Sequence, residues 1–352
     1  MIETRTLMLQ EALSSPERVA VLLDHDAAVY EALATRLRAR PADALLTLAR
    51  GSSDHAAQHL AYLVMARLGR LVTSLPMSLL TLYGARLPAG SLHSFAFSQS
   101  GQSPDLVEPT RALRAGGAGT VALVNDTASP LAAAAEFVLP LHAGPERSVA
   151  ATKSYIAQLV AGARLVAHWQ QDAVLQAAVA ALPEALARAA AQDWQSALPV
   201  LQGASQLFVI GRGPGLAVAQ EAALKFKETC GMQAEAFSGA EVQHGPMALV
   251  GAGWPVLVLA PRGPAQAGLL DLATRLQARN AHVMLALPEA QRAAAEAAAP
   301  GLLTLPLALT GHEDLDALAA VQSFYPLVEA LSRARGRNPD QPPYLAKVTK
   351  TH

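Results

Sequence analysis

Leu46-Thr47-Leu48-Ala49-Arg50-Gly51 and Phe208-Val209-Ile210-Gly211-Arg212-Gly213 are two versions of one phrase, 162 residues apart: a short apolar run closed by Arg-Gly. The same displacement lays Phe95-Ala96-Phe97 on Leu257-Val258-Leu259 and Val121-Ala122-Leu123 on Val283-Met284-Leu285. Each is an uninterrupted apolar run of the kind that forms a strand buried on both faces. A fourth pair, Val138-Leu139-Pro140-Leu141 and Thr304-Leu305-Pro306-Leu307, needs a displacement of 166, a small insertion in the second copy. Between the strands lie stretches rich in Ala, Leu and Arg, such as 106–115 and 269–278, that read as helices. Strands alternating with helices predict an α/β fold built twice, each copy a parallel sheet with helices on both faces. The first copy is expected over residues 30–170 and the second over 195–335. Residues 1–29 read as a helical segment, in which Ser15-Pro16-Glu17 offers a cap followed by proline at the first helical position. Residues 336–352 hold three prolines and no helical period, and read as a tail.

A chain of 352 residues is long enough for two domains that each bury a core. Only 16% of the residues are charged and the net charge is −1, which leaves no electrostatic footprint for nucleic acid. No stretch supplies the run of roughly 18 apolar residues that a membrane span requires, so neither nucleic acid nor membrane is an expected partner. The start, Met1-Ile2-Glu3-Thr4-Arg5, lacks a basic-then-apolar signal pattern, and the single cysteine, Cys230, cannot form an internal disulfide. A reducing cytoplasm is the expected compartment. With 52% hydrophobic residues, the surface is expected to meet a second subunit, so a homodimer is predicted.

Two polar loops follow strands of the first copy. Ser98-Gln99-Ser100-Gly101-Gln102-Ser103-Pro104-Asp105 predicts a helix start, with Ser103 as cap and Pro104 at the first position. Free N–H groups at such a helix end attract an anion, and the hydroxyls of Ser98, Ser100 and Ser103 add donors for phosphate. An ordinary strand-to-helix loop has the same local pattern; its place at the carboxyl end of a parallel strand favours the phosphate site. The matching place in the second copy, Ala260-Pro261-Arg262-Gly263-Pro264, has no hydroxyls. The second loop, Gly51-Ser52-Ser53-Asp54-His55, opens a helix toward the same crevice. His55 and His59 have ligand spacing, but the glutamate of the zinc-protease motif and a third ligand are missing, and no metal is expected. Gly211-Arg212-Gly213-Pro214-Gly215 has Leu216 where a dinucleotide fingerprint needs glycine, so no nicotinamide cofactor is expected either.

Glu221, Lys225 and Glu228 fall at i, i+4 and i+7 and share one helix face. The displacement of 162 places Leu63 opposite Lys225 and Ala66 opposite Glu228, so one copy is apolar where the other is charged. A solvated face with a Glu–Lys pair is one reading; a charged site set among Ala222, Ala223, Leu224 and Phe226 is the other. Farther on, Glu235 and Glu241-Val242-Gln243-His244-Gly245-Pro246 bring acids and an imidazole together, and histidine is the natural proton carrier near neutral pH.

Ser98-Gln99-Ser100-Gly101, Gly144-Pro145-Glu146 through Ala151-Thr152-Lys153, Ala223-Leu224-Lys225-Phe226-Lys227-Glu228, Ala234-Glu235-Ala236-Phe237, His244-Gly245-Pro246 and Asp340-Gln341-Pro342 to Leu345-Ala346-Lys347 resemble, in order, the isomerase part of glutamine:fructose-6-phosphate amidotransferase. The resemblance implies two tandem sugar isomerase (SIS) domains, flavodoxin-like and doubly wound. It implies that Ser98, Gln99, Ser100 and Ser103 hold the sugar phosphate with Ser52 and Ser53 beside them, that the backbone at Val149 meets the sugar, and that Lys225 lines the site. It further implies that Glu228 moves a proton between C1 and C2, that His244 opens the ring from a neighbouring subunit, and that Lys347 forms an imine with the open-chain ketose while the 336–352 tail closes the site.

In the amidotransferase an N-terminal glutaminase domain with a cysteine nucleophile precedes this part. Here the chain starts at Met1-Ile2 and holds only Cys230, so ammonia release rather than glutamine-fed synthesis is expected. Arg50-Gly51-Ser52-Ser53-Asp54-His55, Ser103-Pro104-Asp105 and Val124-Asn125-Asp126 are also similar to stand-alone SIS-type glucosamine-6-phosphate deaminases. The expected reaction is glucosamine 6-phosphate plus water to fructose 6-phosphate plus ammonium. Ammonia-dependent synthesis, deglycation of a fructosamine phosphate and a non-catalytic sugar-phosphate sensor are the alternatives.

Overall fold

The computed structural model describes residues 5–348. Residues 1–4 of the start read above, and 349–352 of the tail, lie outside the described residues. Among the described residues ten strands form two five-stranded sheets, every neighbouring pair parallel. The first sheet contains β1 (Ala44–Leu48), β2 (Val72–Ser74), β3 (Leu92–Ser98), β4 (Gly119–Val124) and β5 (Phe137–Pro140) in the order β2-β1-β3-β4-β5. The second contains β6 (Gln206–Gly211), β7 (Gln233–Ser238), β8 (Pro255–Leu259), β9 (His282–Pro288) and β10 (Leu303–Leu307) in the order β10-β9-β8-β6-β7. Read from the other edge, the second order is the first, and the four repeat pairs found in the sequence hold equal places in the two sheets.

The register corrects one of those pairs. Phe95 pairs with Thr47 and Leu257 with Val209, which confirms the displacement of 162 for β1/β6 and β3/β8. Phe95 also pairs with Val121, but Leu257 pairs with Met284, so β9 is offset by 163 and the counterpart of Val121 is Met284, not Val283. Every residue of β4, and all but the first of β9, is buried. With no polar face to mark the phase, a one-residue slip leaves no trace in the apolar pattern.

The chain divides into two units, one around each sheet. Of the described residues, the first-sheet unit comprises Glu17–Glu146, Lys153–Ala180 and 346–348; the second-sheet unit comprises 5–16, Arg147–Thr152 and Ala181–Leu345. In the first-sheet unit the core around Leu46, Ala96, Ala122 and Val124 lies against helix Pro104–Ala115 through Leu106, Val107 and Leu113. Helix Lys153–Gln170 packs on helix Ser52–Leu68 and is buried along nearly its whole length. It carries Arg164, whose guanidinium donates to the carbonyls of Leu22 and His25 at 2.7 and 2.8 Å and lies 4.2 Å from the Tyr30 ring centroid. A buried cation thus satisfies the carboxyl end of helix Ser15–Asp24. Ser15 is the first residue of that helix, not its cap, because helix Leu7–Leu13 runs almost directly into it and leaves only Ser14 between.

In the second-sheet unit Phe208, Ile210, Val256, Val258, Val283 and Leu285 pack on helix Gln266–Gln277. Helix Gly215–Cys230 lies against helix Asp316–Ala334, with Phe226 edge-on to Phe324 at 5.1 Å. Helices Ser52–Leu68 and Gly215–Cys230 both end on a left-handed glycine, Gly69 and Gly231, again 162 apart. Among the described residues no single helix is long and apolar enough to cross a membrane.

Candidate active site

In the first sheet the strand order reverses at β1/β3, and the loops after these two strands flank the crevice opened there. The loop after β1 leads into helix Ser52–Leu68 through Gly51; the loop after β3 leads into helix Pro104–Ala115. Arg50 joins them, its Nε 3.0 Å from the buried Asp105 carboxylate. All six predicted phosphate-binding residues therefore lie between the last residue of β1 or β3 and the first turn of the helix that follows it, at two junctions tied by Arg50 and Asp105. Ser98 is buried and accepts the Gly101 N–H at 2.9 Å, while the Ser100 hydroxyl accepts the Gln102 N–H at 3.3 Å. Ser53 accepts from Gln158 at 2.9 Å. Ser103 is the N-cap residue with Pro104 behind it, but its hydroxyl makes no capping bond to the helix, so the expected cap is positional only. Gly101 is required by geometry: its φ is +63° and a Cβ there would stand 2.1 Å from Ser129 Oγ.

The corresponding place in the second sheet is closed by an ion pair. Arg262 donates through Nε and Nη2 to the fully buried Asp316 carboxylate at 2.7 and 3.0 Å. Hydrogen bonding to Asp316 raises the Arg262 pKa above its ordinary value, the mark of a fixed structural pair.

The face predicted on helix Gly215–Cys230 is a cluster. Lys225 pairs with Glu228 in a short contact and with Glu221 at 3.4 Å, and Tyr325 Oη lies 3.4 Å from the Glu221 carboxylate. Burial opposes the Lys225 charge, but Glu221 and Glu228 outweigh it and the net shift of its pKa is upward. The ammonium therefore persists through neutral pH. Glu221 is 0% exposed and Lys225 1%, whereas Glu228 is 21% exposed. One carboxylate of the three residues faces outward on a buried cationic base.

His244 ends the turn Glu241–His244 after β7, is exposed, and lies just before Gly245. No hydrogen bond or ion pair joins it to Glu228 or Lys225. Lys347 is held instead by Glu146, Nζ to Oε2 at 2.8 Å. Glu146 is buried and also accepts the Ser154 N–H and hydroxyl at 3.1 and 2.6 Å. Burial pushes its pKa up, yet Lys347 and Ser154 together bring it below the ordinary glutamate value. The contribution of this pair to stability is full above that ordinary value and is lost as pH falls through the depressed one. Glu146 belongs to the Gly144-Pro145-Glu146 motif, and its role as holder of Lys347 comes from a partner 201 residues away.

A family model of the SIS domain matches residues 40–167 and 200–299. The chain belongs to the SIS domain family. Its two parallel sheets are two tandem SIS domains. An isomerizing glutamine–fructose-6-phosphate aminotransferase of Aeropyrum pernix is 35% identical over 269 residues, covering 72% of this chain and 42% of that protein. The chain thus spans less than half the length of that relative. A solved structure from Silicibacter pomeroyi, of a protein assigned provisionally as a phosphosugar isomerase, is 42% identical and superposes with a TM-score of 0.88 over 96% of this chain and 100% of that one. The glucosamine-6-phosphate deaminase of Thermotoga maritima shares the fold at 19% identity, with a TM-score of 0.75 over 98% of this chain and 100% of that chain.

Cys230, the only thiol among the 352 residues, is fully buried, and burial pushes its pKa up to about 11. A thiol in that state is no nucleophile at neutral pH. Its Sγ lies 3.5 Å from the Val328 carbonyl, a contact a hydroxyl can repeat, so Cys230→Ser should retain most of the wild-type activity. Complete loss of turnover in a folded variant would point to thiol chemistry instead.

Proposed function

We propose that this SIS protein is an aldose–ketose isomerase of hexosamine 6-phosphates, and specifically a glucosamine-6-phosphate deaminase. The observation that carries the reading is the half-open Glu228 carboxylate on the buried Lys225–Glu221 pair. A carboxylate so held can take the proton from C2 of the open-chain sugar and return it at C1 while an N–H proton passes to the C1 oxygen, so that C1 is reduced as C2 is oxidised and no external oxidant or reductant is needed. The C2 amine is left as an imine; water adds, ammonium leaves, and fructose 6-phosphate remains. The serines at the β1/β3 crevice support a phosphate end, and Lys347 supplies either an imine-forming amine or positive charge. The exposure of His244 supports its service to the sugar of a neighbouring subunit in a homodimer.

The test is ammonia release, with fructose 6-phosphate measured alongside, across a panel of hexosamine 6-phosphates. Equimolar ammonium and fructose 6-phosphate from glucosamine 6-phosphate is the expected result; no ammonium from any member would overturn the reading. Ser100→Ala or Ser103→Ala should weaken the phosphorylated sugar by about 10- to 100-fold, the worth of a hydrogen bond to a charged group, and leave the unphosphorylated sugar nearly unaffected. Equal losses for both sugars would remove phosphate from this loop.

A further inference from the structure

Segment Arg147–Thr152 belongs to the second-sheet unit, although the chain on both sides of it, up to Glu146 and from Lys153, belongs to the first-sheet unit. Three consecutive N–H groups fix it. Glu11, on helix Leu7–Leu13, accepts the Arg147 N–H at 2.6 Å through one carboxylate oxygen and the Ser148 N–H at 3.2 Å through the other. The backbone carbonyl of Asp340 accepts the Val149 N–H at 3.1 Å.

Asp340 is bound in turn to the helix that carries Glu11. Its carboxylate accepts the Leu7 and Met8 N–H groups at 2.9 and 2.7 Å, an N-terminal cap supplied from the other end of the chain. The helix itself is seated by Thr6, which donates to Glu329 at 2.9 Å, and by Gln322, which donates to the Ala12 carbonyl at 3.0 Å. Ser148, Ala150 and Thr152 are buried, so N–H groups in this loop that lost their acceptors would have little water to replace them.

We infer that Glu11 and Asp340 are positioning residues that hold the Arg147–Thr152 backbone, and Val149 within it, in the conformation that meets the sugar. The inference rests on the functional reading above, and takes the sugar contact at Val149 from the resemblance to the amidotransferase isomerase part. It makes the N-terminal helix part of the substrate site's framework, although that helix lies outside the residues matched by the family model.

The test joins hydrogen exchange at the Arg147, Ser148 and Val149 amides with steady-state kinetics on glucosamine 6-phosphate, using the full chain. Glu11→Ala should speed exchange at Arg147 and Ser148 by about 10- to 100-fold, as expected for loss of a charged acceptor, and raise KM while kcat changes little. Glu11→Gln keeps one carbonyl oxygen and the side-chain shape, and should fall between Glu11→Ala and the wild type in both readouts. Asp340→Asn, which weakens the cap, should speed exchange at Val149. Unchanged exchange in folded Glu11→Ala, or faster exchange with unchanged KM, would overturn the inference. A wild type that binds no sugar phosphate sinks the functional reading, while the exchange measurement still decides whether the clamp exists.

Discussion

On the proposed reading, Glu228→Gln should bind glucosamine 6-phosphate as tightly as wild type and lose about 10²- to 10⁴-fold in turnover, the usual worth of a positioned general base. The cluster explains why the variant should stay folded. Lys225 keeps the Glu221 carboxylate as counter-ion, and the new amide still offers an oxygen to the ammonium where Glu228 stood. Only the proton acceptor is removed. Turnover in deuterated water, followed by NMR, gives the direct readout: wild type should place solvent hydrogen at C1 of the product, and the variant almost none. A variant that exchanges and turns over near the wild-type rate would put the base elsewhere. Glu241, exposed on the turn that carries His244, would then be the better candidate than Glu221, which is sealed in.

The parts of this architecture that were legible in the sequence are those whose signal is local. Central strands announce themselves as apolar runs, and the Arg-Gly that closes β1 and β6 fixed the repeat. Edge strands β2 and β7 escaped the repeat, since Val72-Thr73-Ser74 and Ala234-Glu235-Ala236 occupy matching places with no apolar likeness, and β2 is only three residues long. A half-exposed edge strand needs no apolar code. The charged face of helix Gly215–Cys230 was visible because i, i+4 and i+7 spacing is a property of the helix alone. The bonds of Glu146 to Lys347 and of Glu11 to Arg147 join residues 201 and 136 apart, and no spacing rule reaches that far. Asp340 shows the same limit, since its motif was recognised but its capping of Leu7 and Met8 exists only once the chain ends meet.

Lys225→Met should destabilise the second-sheet unit by about 3–5 kcal/mol, the cost of stranding buried charge. Packing is not the cause, because the equivalent position in the first copy is Leu63, fully buried in helix Ser52–Leu68, so this site in the fold accepts an apolar side chain of similar bulk. The loss arises from Glu221, which is 0% exposed and would lose the ammonium that stands 3.4 Å from its carboxylate. One comparison separates charge from shape. Adding Glu221→Gln to Lys225→Met should recover much of the loss, giving a coupling well beyond the roughly 0.3–0.5 kcal/mol of independent sites. On the alkaline side, the folded Lys225 pKa is raised, so the wild-type contribution stays full below the unfolded lysine value of about 10.4 and fades only as pH climbs through the folded one. Urea unfolding read through tryptophan suits the measurement, since Trp194 and Trp254 lie in the same unit as the cluster. A Lys225→Met protein as stable as wild type at neutral pH, or a double variant no better than the single, would show that the buried ammonium does not hold these carboxylates in place.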